Sequence, residues 1–308
     1  MTKLGRDALA IACAWALPLA AACAGEGHDK ADFVRLGKPG PMDWRTVYPE
    51  PVQTPSEYKR FAGRALPFEK RRIVLVPFGT MREGSDKMLA ELAEFLGAYF
   101  MTRVEIGARL EAPDSIPRRS SHGFGRQLLA DDVLRHVALK IPRHVVARVA
   151  ITSDDLYAST RSGGSMNWVF GMGDARMRAA VCSCARFEWN YPGQPPGATP
   201  RRRLHKLVAH EIGHVFCLAH CQTYACGMNG CNSIKESDAA PMHLCPECLE
   251  KLSGHLGFDR AQRYAALGRV YRKRGWREDA AFVARRARAE AGDALVAKGQ
   301  PSPVEGRE

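Results

Sequence analysis

Arg201-Arg202-Arg203-Leu204-His205-Lys206-Leu207-Val208-Ala209-His210-Glu211-Ile212-Gly213-His214-Val215-Phe216-Cys217-Leu218-Ala219-His220 is the segment from which the rest of the chain is read. Leu204, Leu207, Val208, Ile212, Val215 and Phe216 recur at helical spacing. On such a helix His210 and His214 stand one turn apart on the same face. Two imidazoles so placed reach one zinc ion at about 2.0–2.1 Å. Glu211, beside the first of them, is free to take a proton from a zinc-bound water rather than ligate. His220, six residues beyond His214, lets the helix end and the chain turn back with a third imidazole. Three protein ligands and one open position compose a reactive zinc site, not a closed structural one.

The next residues extend the metal chemistry. Six of the ten cysteines lie between Cys217 and Cys248. Cys221, Cys226 and the Cys245-Pro246-Glu247-Cys248 knuckle have the composition of a four-thiolate zinc site, with Zn–S near 2.3 Å. Such a site would clamp the segment leaving His220 to the segment carrying the knuckle. Disulfide pairing is the rival, and it gains weight if the chain is exported. Cys182, Cys184 and Cys231 read as small buried apolar residues.

The motif H-E-x-x-H-x-x-G-x-x-H with a later methionine marks the metzincins. The continuation here, His210, Glu211, His214, His220, Cys221, Cys226, Met228, Cys245 and Cys248, resembles the archaemetzincin branch of zinc metallopeptidases. Asn232 to Asp238, Leu244 to Cys248, Thr152 to Tyr157 and Asn167 to Gly171 resemble it too, so the likeness runs from roughly Arg71 to Arg272. It implies an α/β (α+β metzincin-like) fold: a twisted, mostly parallel sheet, an antiparallel edge strand and a zinc-binding helix. A smaller C-terminal helical subdomain would hold the four-cysteine zinc site. It further implies two Zn2+ ions, one catalytic and one structural, and Met228 as an apolar floor beneath the imidazoles. The Trp168–Phe170 strand is expected as the antiparallel edge beside a cleft for a peptide or protein substrate. Cys217 stands where the motif has glycine, so a left-handed exit from the helix would strain it. A thiol there also raises a ligand or redox role, with packing the plainer reading.

The remaining pattern supports that fold class. Ile73 to Pro77 reads as a buried strand, Leu89, Leu92, Phe95, Leu96 and Tyr99 as a helix face, and Val104 with Ile106 as a second strand. Leu128, Leu129, Val133, Leu134 and Val137 read as a helix and His144 to Ile151 as a third strand. Strand–helix alternation of this kind builds parallel sheets. Met177 to Phe187 is a further strand candidate, and Gly193 to Pro200 is a break. Asp154 and Asp155 read as a turn or cap, His205 as solvated, and His243 as a surface residue near the knuckle.

The 308 residues divide into an expected signal peptide over 1–23, an extended N-terminal arm over 24–70, a metallopeptidase domain over 71–290 and a flexible tail over 291–308. Lys3 and Arg6 precede an uncharged run from Ala8 to Ala22, shorter than the about 20 residues of a membrane span. Cys23 follows a weak form of a bacterial lipoprotein cleavage site, with Ala20 where a large aliphatic residue is usual. An exported or lipid-anchored protein is expected, with a cytoplasmic home as the alternative, since exported chains seldom keep four reduced thiolates. Trp44, Tyr48 and Tyr58 are candidate anchors for the arm.

Hydrophobic residues make up 45% and charged residues 25%, which excludes a mainly disordered or multi-span membrane chain. The net charge of +12 suits a nucleic-acid partner. Tyr264, Leu267, Val270 and Tyr271, however, share helical spacing with the C-terminal arginines, so a solvated face on a docking helix is expected, no nucleic acid, and a monomer. The function expected is peptide-bond hydrolysis by a Glu-activated, zinc-bound water. The alternative is a non-catalytic, zinc-scaffolded peptide-binding protein.

Overall fold

The structure is a computed structural model that describes residues 32–113, 117–120, 123–160 and 163–297. The expected leader lies outside them. The arm is not extended throughout. It forms two short helices, Trp44–Val47 (α1) and Pro55–Ala62 (α2). Helix α2 opens on a reciprocal cap, with the Thr54 hydroxyl accepting from the Glu57 amide and the Glu57 carboxylate from the Thr54 amide. Tyr58 on α2 is buried and anchors the arm as its aromatic character implied.

The main sheet is assembled by alternation of strands and helices: β1 (Arg72–Pro77), α3 (Ser85–Phe100) and β2 (Arg103–Ile106) come first. After β3 (Pro117–Arg119), β4 (Arg126–Leu129) and α4 (Ala130–Ala138) come β5 (Val145–Thr152), β6 (Asp155–Ser159), β7 (Ser165–Val169), β8 (Gly171–Asp174) and β9 (Ala179–Ser183). Strands run in the order β2-β1-β5-β9-β8, all neighbours parallel except β8 with β9. Ile73, Leu75, Ala147, Val149, Ile151, Ala180 and Cys182 join the larger core. Ala150, Ala179 and Val181 face the smaller core under α4. The period of two along each strand therefore buries both faces.

Two expectations need correction. Leu128 and Leu129 lie in β4, not in the helix. They pair there with β6, and α4 starts only at Ala130, where Asp131 and Asp132 meet the positive helix end. The segment Asn167 to Gly171 is not one edge strand. Trp168 ends up in β7, in a second sheet ordered β3-β4-β6-β7, and Phe170 is the joint between sheets. The antiparallel edge of the main sheet is β8 instead.

Helix α5 (Pro200–Val215) packs on β8 and β9, and α6 (Ile234–Ala239), α7 (Pro246–Leu256), α8 (Arg260–Lys273) and α9 (Arg277–Ala297) complete the chain. Tyr264, Leu267, Val270 and Tyr271 are buried as their spacing predicts. Arg269, Arg272, Arg277, Arg285 and Arg288 are exposed. Arg263 and Arg286 depart from that face: both are buried, and Arg263 Nε donates to the Tyr99 carbonyl at 2.7 Å. Helix α9 continues through Ala297, past the expected start of a flexible tail. Among the described residues no helix is long and apolar enough to cross a membrane.

Candidate metal centres

Thr199 caps α5 by accepting from the Arg202 amide, and Pro200 occupies the first turn, where its missing N–H is harmless. Leu204, Val208, Ile212 and Val215 turn into the larger core, which leaves His210 and His214 on the face toward the segments after the helix. The helix ends at Cys217, whose φ is +65°. The Leu218 amide closes back on the Gly213 carbonyl at 3.0 Å and the Cys217 amide on His214 at 2.9 Å. This is a left-handed helix exit of the type glycine usually makes. Cys217 adopts it at a conformational cost of about 1 kcal/mol.

That exit brings the third imidazole back. His210, His214 and His220 form one group whose ligand atoms lie within 4.8 Å of one another. His214 Nε2 is 3.0 Å from His210 Nε2 and 3.2 Å from His220 Nε2. Each Nδ1–H is committed elsewhere: His210 donates to the Gly227 carbonyl at 2.9 Å, His214 to Leu218 at 2.8 Å and His220 to the Glu50 carboxylate at 2.9 Å. Three Nε2 lone pairs are thereby aimed at one another, which neutral rings avoid unless a cation lies between them. Bonds of 2.0–2.1 Å at tetrahedral angles put donor atoms about 3.3–3.4 Å apart, so the group fits zinc. Burial pushes His210 down to about 3 and His214 well below the ordinary imidazole range, which keeps both rings neutral.

Met228 packs against α5 at Gly213, next to His214 in the chain. It is buried, and a Cβ added at Gly213 would sit 2.4 Å from its Sδ. Asn229 pins the turn: its Oδ1 accepts from the Cys226 amide at 2.8 Å and its Nδ2 donates to the Cys221 carbonyl at 2.8 Å and the Tyr224 carbonyl at 2.9 Å.

Glu211 faces the edge strand. A Cβ at Gly173 would come 2.3 Å from the Glu211 carbonyl oxygen, and one at Gly171 would come 3.0 Å from Oε1. The two glycines of β8 are what let α5 approach this closely. Glu211 is 6% exposed, and burial pushes its carboxyl up to about 8 against the opposing pull of the Gly173 amide. A cation at the adjacent imidazoles acts in the opposite direction.

The second group is Cys221, Cys226, Cys245 and Cys248, all buried. Cys221 Sγ is 3.6 Å from Cys245 Sγ, close to the about 3.75 Å that tetrahedral Zn–S bonds of 2.3 Å require. Cys226 Sγ accepts from the amides of Met228 at 3.4 Å and Cys245 at 3.2 Å, and Cys245 Sγ accepts from Cys248 at 3.5 Å. Cys245 is also the N-cap of α7. The eight described cysteines are all free, and Cys217 belongs to neither group; its Sγ faces the Phe61 carbonyl at 3.6 Å.

Several side chains sit elsewhere than the sequence implied. His205 is buried, not solvated. Its ring stands between Phe95 and Trp276, each at 5.1 Å, and Nδ1 bonds the Arg201 carbonyl at 2.7 Å. His243 stacks on Phe282 at 3.7 Å and is largely covered, rather than lying on the surface. Asp155 is no turn residue: it is fully buried and bound in bidentate fashion by Arg186 at 2.7 Å. The clearest omission is Glu50, which has no local signal because its partner is 170 residues away.

The Peptidase family M54 profile matches residues 131–254. Archaemetzincin-2 of Homo sapiens is 30% identical over 267 residues, covering 74% of this chain and 72% of that protein. Archaemetzincin of Thermococcus kodakarensis is 34% identical over 193 residues, or 60% of this chain and 97% of that one. The crystal structure of archaemetzincin from Methanopyrus kandleri aligns at 28% identity with a TM-score of 0.49, covering 63% of this chain and 100% of that chain. The matches define a zinc metallopeptidase, a hydrolase acting on peptide or protein substrates, and the non-catalytic scaffold alternative is not favoured. The chain belongs to the archaemetzincin family.

Proposed function

We propose that His210, His214 and His220 hold the catalytic zinc through Nε2, and that Glu211 is the general base and acid. The observation that carries this assignment is the commitment of all three Nδ1 atoms to acceptors, which leaves three converging Nε2 donors. Zinc at this position supplies a Lewis acid for the scissile carbonyl and makes an attacking water more acidic. The Glu211 carboxylate takes the proton from that water and passes it to the leaving amine. Its burial excludes competing solvent, and β8, at the edge of its sheet, offers main-chain hydrogen bonds to an extended substrate. Asn229 is spent on the loop, so the turn after Met228 lends no side chain to the developing negative charge.

In the same proposal Cys221, Cys226, Cys245 and Cys248 hold a second, structural zinc, giving two ions per chain. The experiment is Glu211→Gln with metal analysis and a peptide-hydrolysis assay. Zinc content should stay unchanged while hydrolysis falls by about 10²–10⁴; full activity in a zinc-loaded variant rejects the scheme.

We further propose an exported, monomeric protein with a cleaved or lipidated leader, supported by Lys3, Arg6 and the apolar run to Ala22 ahead of Cys23. The mass of the mature chain and its elution volume decide both points.

A further inference from the structure

His220 differs from the other two imidazoles in two ways. His210 and His214 are oriented by their own helix, whereas His220 follows the left-handed turn at Cys217 and inherits no orientation from α5. The Nδ1 atoms of the first two face neutral backbone carbonyls, and that of His220 faces a carboxylate. Both Glu50 oxygens lie 2.9 Å from it, with the side chains of His220 and Glu50 only 15% and 11% exposed.

Glu50 is itself held in place. Gln53 Nε2 donates to the Cys217 carbonyl at 2.8 Å, and Gln53 Oε1 accepts from the Ala219 amide at 3.3 Å, so the arm grips both sides of the helix exit. Trp44 packs edge-on against His220 at 4.9 Å, and its amide donates to Glu236 Oε1 at 2.8 Å. A Cβ at Gly230 would strike the Trp44 ring at 2.4 Å, which makes that glycine the seat of the indole.

We propose that Glu50 is the positioning residue of the histidine metal site, and that the arm it belongs to is a built-in part of metal retention. This rests on the assignment of the three histidines as ligands. A carboxylate on Nδ1–H fixes the tautomer and the ring plane and raises the basicity of Nε2, and removing such a partner typically weakens metal binding by about 10–100-fold.

The test uses the full chain, with zinc affinity measured by competition against a chelating dye for the wild type, Glu50→Ala, Glu50→Gln and His214→Ala. Glu50→Ala should lose about 10–100-fold in affinity for one zinc. Zinc at the four cysteines should be unchanged, which also reports that the fold survives. Glu50→Gln, which keeps an acceptor of the same shape, should fall between Glu50→Ala and the wild type, and added zinc should restore hydrolysis by both. Affinities of Glu50→Ala and Glu50→Gln within twofold of the wild type, while His214→Ala loses one zinc, overturn the role of Glu50 alone. Unchanged binding of both ions by His214→Ala overturns the ligand assignment and the inference with it.

Discussion

The histidine group and the cysteine group are both donor clusters sized for one zinc ion, and they differ in what surrounds them. All four cysteines are buried, while the three histidines are each half-buried. The cysteine sulfurs accept backbone N–H bonds from within the same loop and helix N-terminus. The imidazoles instead donate outward to two carbonyls and one carboxylate, the last arriving from the far end of the chain. A closed cluster stabilised by amide donors suits a permanent thiolate site. A cluster open on one side, with a buried carboxylate beside it, suits a metal that must exchange ligands with substrate.

The sharpest break in the comparison is chemical. His214→Ala should abolish peptide hydrolysis, by at least about 10³-fold, and remove one zinc while leaving the folded chain and the other zinc in place. Cys248→Ser should do the reverse in kind: loss of the closed site removes folding energy outright, so the variant should unfold or aggregate, with stability lower by several kcal/mol. Thermal melts with metal analysis separate the two behaviours. A folded, zinc-depleted, fully stable Cys248→Ser would break the distinction.

His205, on the same helix as His210 and His214, sharpens the contrast because it is buried among aromatic rings outside either cluster. Burial pushes its imidazole down to about 4 from its ordinary 6.5. Below pH 6.5 the unfolded state therefore binds a proton that the native state refuses. Stability contributed by the neutral ring is complete above that pH and is lost as the pH falls toward 4, to a total of roughly 3 kcal/mol. Urea midpoints at pH 7 and pH 5 should differ less for His205→Phe than for the wild type; identical pH dependence contradicts the burial argument. The smallest effect is expected at Cys217→Gly. Relief of the left-handed conformation should raise stability by up to about 1 kcal/mol and leave hydrolysis intact. Loss of zinc in this variant would instead assign the thiol a ligand role.

Both clusters were legible in the sequence because their donors are close neighbours there. His210 and His214 share a helix, His220 follows at once, and Cys245 and Cys248 share a helix cap. The strands of the main sheet were legible for a similar reason: β1 carries the apolar run from Ile73 to Pro77, and β5 is apolar apart from Arg148 and Thr152. The second sheet was not. Its strands are three to five residues long, and β3 and β4 carry arginines and a glutamine that satisfy one another across the sheet, as Arg118 does with Gln127 at 2.9 Å. Leu128 and Leu129 read as helical because two adjacent leucines ahead of a helix fit its apolar stripe as well as a strand. His205 and Glu50 owe their environments to Trp276 and His220, partners supplied by tertiary structure alone. Periodicity carries no information about such pairs.

The most direct measurement is to count zinc during timed dialysis of the purified chain against a chelator, with peptide hydrolysis followed in the same samples. Two ions per chain should be present at the start; the first should leave within the early fractions together with all activity, and the second should remain until the protein unfolds. Activity that persists after the first ion has gone, or a single ion whose removal unfolds the chain, contradicts the division of labour between the two clusters.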